Sequence, residues 1–398
     1  MTVEQFFRFT PLASLTRGGL VEDETAAFVY PGEEVRLLYR IDQILSVKSY
    51  DGGTVYEPEK DYTVRDGKIA LTQASSIPVM TPELYYSEGA APLLRVRKPD
   101  GTESPCYFSE DGTIPRFQVR VTYTHSDTYD GFCQPHHPGR FERFLDLLKT
   151  GRDATVLFYG DSITYGANAS LVQNTPPYQP PYPMLLTRAL AELYGYTVRF
   201  APPDAENTYA LPVPDFAAGD RGALTYVNTA VGGWNSRGGV ERLGTHITPQ
   251  IEKYGCDLFV LAFGMNDGGS DPRETADNCE KIVRHVLSMR KDTSVLLVST
   301  MLPNPEALGG WNASQPGQEP ELLRLAEALN GEGIPCGVAQ MTSVSASVLT
   351  RKRFLDYTGN NINHPNDFFS RVYASTLLQT MVGYESDIGD RGSDIVKS

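Results

Sequence analysis

The chain has 398 residues, of which 40% are apolar and 21% charged, and a formal net charge of -14. That length suits two domains better than one, and the acidic balance argues against nucleic acid or an anionic membrane as partner. Five scattered cysteines (Cys106, Cys133, Cys256, Cys279, Cys336) form no CxxC pair, so neither a disulfide framework nor a zinc site is indicated.

The opening Met-Thr-Val-Glu-Gln-Phe-Phe-Arg-Phe lacks the apolar run of a secretory signal, and no stretch is long enough to span a bilayer. A cytoplasmic location is expected, or a secreted one if a leader has been removed. Residues 30–127 read as β-rich. The Asp51-Gly52 and Asp66-Gly67 pairs between apolar runs are hairpin signals, and residues 93–97 and 117–123 alternate with period two. An all-β sandwich or jelly-roll domain is expected over residues 1–128.

A linker with a short amphipathic helix is expected over residues 129–153. His125, His136 and His137, in the polar segment 125–140, have no carboxylate or cysteine partners at ligand spacing and read as solvated linker histidines. From residue 154 strands and helices alternate. Five strands are expected, near residues 156–159, 224–228, 258–263, 294–300 and 336–340. Helices are expected near 184–194, 272–290, 320–329 and 366–381. This pattern predicts an α/β domain over residues 154–385, a doubly wound parallel five-stranded sheet between two helical layers, followed by a polar tail at 386–398.

Within that domain the first strand, Val156-Leu157-Phe158-Tyr159, ends at Gly160-Asp161-Ser162. A buried parallel strand that stops at a tight turn presents the serine at the sheet edge where ligands bind. Alone the tripeptide is weak, because a turn capped by Asp and Ser explains it equally well. Two further strands end at Gly232-Gly233 and at Gly264-Met265-Asn266-Asp267, on the same edge. Asn363-His364-Pro365-Asn366 then precedes the last helix.

Those four features, in that order, resemble the SGNH hydrolases, the GDSL esterase and lipase superfamily with its flavodoxin-like fold. The resemblance implies Ser162 as nucleophile, His364 as general base, and Gly233 and Asn266 as oxyanion-hole donors beside the Ser162 N–H. It implies no cofactor and no metal. One departure stands out. The family usually has Asp three residues before the histidine, and here that position is Asn361. A Ser–His dyad follows, with the Asn361 carbonyl or a main-chain carbonyl holding the ring. Asp356 and Asp367 lie off the family's spacing, and Asp367 suits a helix cap.

A β-sandwich ahead of an SGNH domain is similar to carbohydrate esterase family 2, whose members deacetylate polysaccharides. The expected function is therefore a serine esterase acting on acetyl esters of a small-molecule or oligosaccharide substrate. Trp234 and Trp311 could stack on a sugar ring, although core packing explains each equally well. The Tyr- and Pro-rich loop at residues 178–182 reads as a sugar-facing rim. The alternatives are a lysophospholipase, thioesterase or aryl-esterase on the same site, or a non-catalytic carbohydrate-binding protein.

Overall fold

Eight strands precede residue 125 in the structure, a computed structural model that describes residues 15, 19–88, 94–137, 139–208 and 213–383. They are β1 (Leu20–Ala27), β2 (Glu34–Val35), β3 (Gln43–Ser49), β4 (Tyr62–Arg65), β5 (Lys68–Leu71), β6 (Arg95–Arg97), β7 (Glu103–Pro105) and β8 (Gln118–Thr124). The sequence explains their local form. In β8 Val119, Val121 and Tyr123 point inward and are fully buried while Arg120 and Thr122 face out, the period of two that a half-covered strand requires. At the β4–β5 turn Asp66 and Gly67 both take positive φ, 48° and 73°, as a two-residue hairpin demands.

The strands of this half pair antiparallel, as expected, but they form three small sheets, β1-β8-β3, β2-β5-β4 and β6-β7. Among the described residues no eight-stranded jelly roll is formed. The expected polar tail at 386–398 lies outside the described residues.

The second half holds β9 (Ala154–Gly160), β10 (Thr197–Phe200), β11 (Phe216–Ala217), β12 (Ala223–Asn228), β13 (Leu258–Ala262), β14 (Ser294–Val298) and β15 (Cys336–Ala339). They form one sheet in the order β11-β10-β12-β9-β13-β14-β15, parallel except for the edge strand β11. The five expected strands are all present. The sheet has seven because it also takes in the short β10 and, within the polar stretch at 201–221, β11.

Strand β9 is buried along its whole length. Val156 and Phe158 join the core on one face, and Leu157 and Tyr159 join the core on the other. The first face is covered by the helices Glu142–Lys149, Tyr182–Tyr194 and Asp367–Val382. The second is covered by Thr248–Tyr254, Pro272–Met289 and Gln315–Gly331. The result is the expected α/β architecture.

The two halves share a core. Phe28, Val47, Val121 and Tyr123 belong to the same apolar cluster as Phe158, Leu186 and Phe369. The segment after β8 is packed as well. His125 is buried and stacks on Tyr39 at 3.7 Å, so it is not a solvated linker residue. Further on, the Gln134 amide donates to the Val338 carbonyl, and its oxygen accepts from the Gln340 N–H.

Between the halves Lys352 pairs with Glu24, and both side chains are fully buried. Glu24 also accepts from the Leu38 N–H at 2.9 Å and the Tyr123 hydroxyl at 2.7 Å. Removing one partner of such a pair leaves a buried charge uncompensated. Lys352→Met is therefore expected to lower unfolding free energy by about 3–5 kcal/mol in urea titration. A loss below about 1 kcal/mol would contradict this role for the pair.

Candidate active site

The turn after β9 starts from a steric demand. A Cβ on Gly160 would sit 2.4 Å from the Ala262 carbonyl oxygen of the neighbouring strand, so only glycine lets β9 end there. Asp161 then caps the short helix Ser162–Tyr165, accepting from the Ile163 N–H at 3.0 Å. Burial pushes the Asp161 carboxyl up to about 7, against the pull of the Ile163 N–H and of His364. Gly166 closes the helix with a left-handed φ of 97°. Ser162 is thereby fixed at the first helical position, at the carboxyl edge of the sheet.

His364 comes to it from 202 residues away, with Nε2 2.8 Å from the Ser162 Oγ. Its loop is held mainly by Asn360, which is fully buried. The Asn360 Oδ1 accepts from the N–H groups of Ile362, Asn363 and His364 at 3.0, 3.0 and 3.1 Å. Just beyond, Asn366 caps the last helix by accepting from the Phe369 N–H. Its amide donates to Thr25 and Gln118, both in the N-terminal half.

The other ring nitrogen of His364 corrects the sequence reading. Asn361 does not hold the ring. Its amide nitrogen donates to the Tyr107 carbonyl at 3.0 Å, and its Oδ1 has no partner. Its backbone is left-handed, with a φ of 72°. Instead Nδ1 faces two oxygens, Oδ1 of Asn168 at 2.6 Å and Oε2 of Glu110 at 3.1 Å. Burial would raise the Glu110 carboxyl, but the His364 ring and the Asn360 amide outweigh it and hold the group below the usual carboxylate range.

The two aspartates near this loop have other partners. Asp356 accepts from the Ala27 and Arg353 N–H groups. Asp367 accepts from the Ser170 N–H, and burial pushes it up to about 6.

Gly233 has a φ of 79° and open space where a Cβ would stand. The positive φ is what favours glycine there. Asn266 donates one amide hydrogen to the Trp234 carbonyl at 2.9 Å, which leaves the second free to serve an incoming oxygen. The turn carrying Asn266 is braced by Gln318 on the Gly264 carbonyl, Gln315 on the Met265 carbonyl and Ser314 on the Asp267 carbonyl. The Asp267 carboxyl, pushed up by burial, accepts from both the N–H and the hydroxyl of Ser236.

Ser162, His364, Gly233 and Asn266 line one cleft of about 650 Å³, with Trp234 and Trp311 in its wall. Trp234 is fixed by His246, 4.6 Å away between ring centroids, and by Arg242 over its face. Trp311 packs between two apolar clusters. Tyr182, expected in a rim, is instead buried against Tyr373 with its hydroxyl on Thr164. A larger groove of about 1010 Å³ beside Glu142 and Arg290 contains none of these residues. Sequence reasoning missed Glu110, Asn168, Asn360 and Phe108, which also lines the cleft. None of them sits in a motif.

No curated protein sequence matches the chain. Several solved structures are similar. A two-domain esterase (CEX) active on acetylated mannans, crystallised with mannopentaose, is 21% identical with a TM-score of 0.43, over 62% of this chain and 54% of that one. The chain thus spans about half the length of that esterase. Axe2, an acetylxylan esterase from Geobacillus stearothermophilus, is 16% identical with a TM-score of 0.38, over 58% of this chain and 95% of that one. A carbohydrate acetylesterase family member from Sinorhizobium meliloti is 18% identical with a TM-score of 0.38, over 58% and 100%. Residues 158–367 match the GDSL-like lipase/acylhydrolase family, a span that opens just before Gly160-Asp161-Ser162 and closes just after His364. The chain belongs to that family.

Proposed function

We propose that the protein is a serine esterase that removes acetyl groups from carbohydrate hydroxyls. The observation that carries the reading is the 2.8 Å contact between the Ser162 Oγ and the His364 Nε2 in a cleft that also holds Gly233 and Asn266. His364 takes the Ser162 proton as Oγ attacks the ester carbonyl. The N–H groups of Ser162 and Gly233 and the Asn266 amide receive the oxyanion. The imidazolium then protonates the leaving alcohol, and water repeats the sequence on the acyl-enzyme.

The aromatic wall of Trp234, Trp311 and Phe108 supports a sugar as the alcohol, since flat rings stack on the apolar face of a pyranose. The test is hydrolysis of p-nitrophenyl acetate and octanoate beside acetate release from an acetylated oligosaccharide. Acetyl turnover is expected to exceed octanoyl by at least about tenfold, roughly 1.4 kcal/mol in the barrier. Equal or faster turnover of the long chain would favour a lipase-type substrate.

A further inference from the structure

We infer that Glu110, contributed by the N-terminal half, is the positioning carboxylate of the Ser162–His364 pair, taking over the work of the aspartate that position 361 lacks. The inference rests on the esterase reading above.

Both oxygens of Glu110 are committed to the histidine loop. Oε2 stands 3.1 Å from the His364 Nδ1, and Oε1 accepts from the Asn360 Nδ2 at 3.0 Å. Asn360 is the residue that gathers three consecutive backbone N–H groups of that loop, so the carboxylate and the ring are aligned through one buried side chain. The Glu110 backbone is fixed from both sides. Asp111 next to it is bonded by Ser109 and by the N–H and hydroxyl of Thr113. Three residues before Glu110, the Tyr107 carbonyl accepts from Asn361. Asn361 therefore stands where the family carries its acid and instead ties down the loop after β7 that delivers another one.

Asn168 and Glu110 divide the two tasks of an orienting aspartate. The Asn168 carbonyl, at 2.6 Å, selects the tautomer that carries hydrogen on Nδ1 and leaves Nε2 free to accept from Ser162. A neutral amide does little for the imidazolium that forms when the proton moves. Glu110 supplies the negative charge for that species. Its side chain is 47% exposed, so water screens it and its effect falls short of a buried aspartate's. Losing the aspartate of a full triad to asparagine costs about ten-thousand-fold in kcat, part of it through the wrong tautomer. With the tautomer held by Asn168, Glu110→Gln is expected to cost about a hundredfold.

The experiment measures three quantities for the full chain and for Glu110→Gln. They are kcat and KM on p-nitrophenyl acetate, and the rate at which a small fluorophosphonate modifies Ser162. The wild-type chain is expected to be labelled at Ser162. The variant is expected to fall about a hundredfold both in kcat and in labelling rate, with KM within about threefold and an unchanged melting curve. A variant whose labelling rate stays within about threefold of wild type overturns the inference, whatever happens to KM, because a residue that only shapes the rim leaves Ser162 activation untouched. Glu110→Ala repeats the test without an amide that could bond the ring, and the same labelling criterion decides it. A wild-type chain that hydrolyses no ester and is not labelled at Ser162 overturns the esterase reading itself, and the inference with it.

Discussion

Ser162→Ala is expected to lower ester hydrolysis by at least about ten-thousand-fold, roughly 5.4 kcal/mol in the barrier, without unfolding the protein. Among the described residues, the Ser162 Oγ stands 2.8 Å from the His364 Nε2, the geometry the proposed nucleophile needs. The side chain is small and nearly buried, and its loss removes that one contact while the Asp161 cap, the Gly166 closure and the β9 strand stay in place. The proposed oxyanion donors and substrate binding would still leave about a thousandfold or more over water, so the residual rate is small but measurable. Mass spectrometry after fluorophosphonate treatment checks the assignment. A label on any other serine, or a variant with more than about a hundredth of the wild-type rate, would sink it.

A chain beginning at Phe141 is expected not to fold. The first 140 residues supply β1 and β8, whose inward side chains form one apolar cluster with the helix Asp367–Val382. They also supply polar ties to the loop that carries His364. The Gln118 amide donates to the Leu355 and Thr358 carbonyls, and Arg371 donates to the Glu22 and Asp23 carbonyls. Cutting these away exposes apolar surface on the last helix and strands Lys352 without Glu24. Loss of the near-ultraviolet circular dichroism signal, or aggregation on expression, is the expected outcome. A soluble, cooperatively melting chain that hydrolyses p-nitrophenyl acetate at the wild-type rate would show the N-terminal half to be an appendage.

How much of this was legible beforehand followed the range of the interactions. The turns at Ser162, Gly233 and Asn266 could be found because each is local: an apolar run, then a glycine or capping residue, then a polar side chain. The parallel sheet was legible for the same reason in its central strands, which are continuous apolar runs. Its edge was not, because β11 is two residues long and β10 four. The partners of His364 were hidden more deeply. Glu110 lies 254 residues before it and Asn168 lies 196, and nothing in Ser109-Glu110-Asp111-Gly112 or Ala167-Asn168-Ala169 distinguishes a catalytic neighbour from a surface turn. Asn361 was singled out by spacing alone, and spacing says nothing about where a side chain points once its backbone turns left-handed. His125 was misread because the composition around it is that of a loop, although its ring is stacked in a core.

The contact between Asn361 and Tyr107 also decides what position 361 tolerates. Suppose a mutation placed the family's usual acid at position 361. Asparagine and aspartate both tolerate the left-handed backbone there, so the main chain would raise no objection. The side chain would. An anion would replace the hydrogen-bond donor that now faces the Tyr107 carbonyl, in a spot with no solvent access, and two oxygens would meet with no proton between them. The loop bearing Glu110 would be pushed away by the introduced acid. Asn361→Asp would therefore loosen the loop that carries Glu110 rather than add a second acid to the site: a neutral amide at position 361 is what that loop requires.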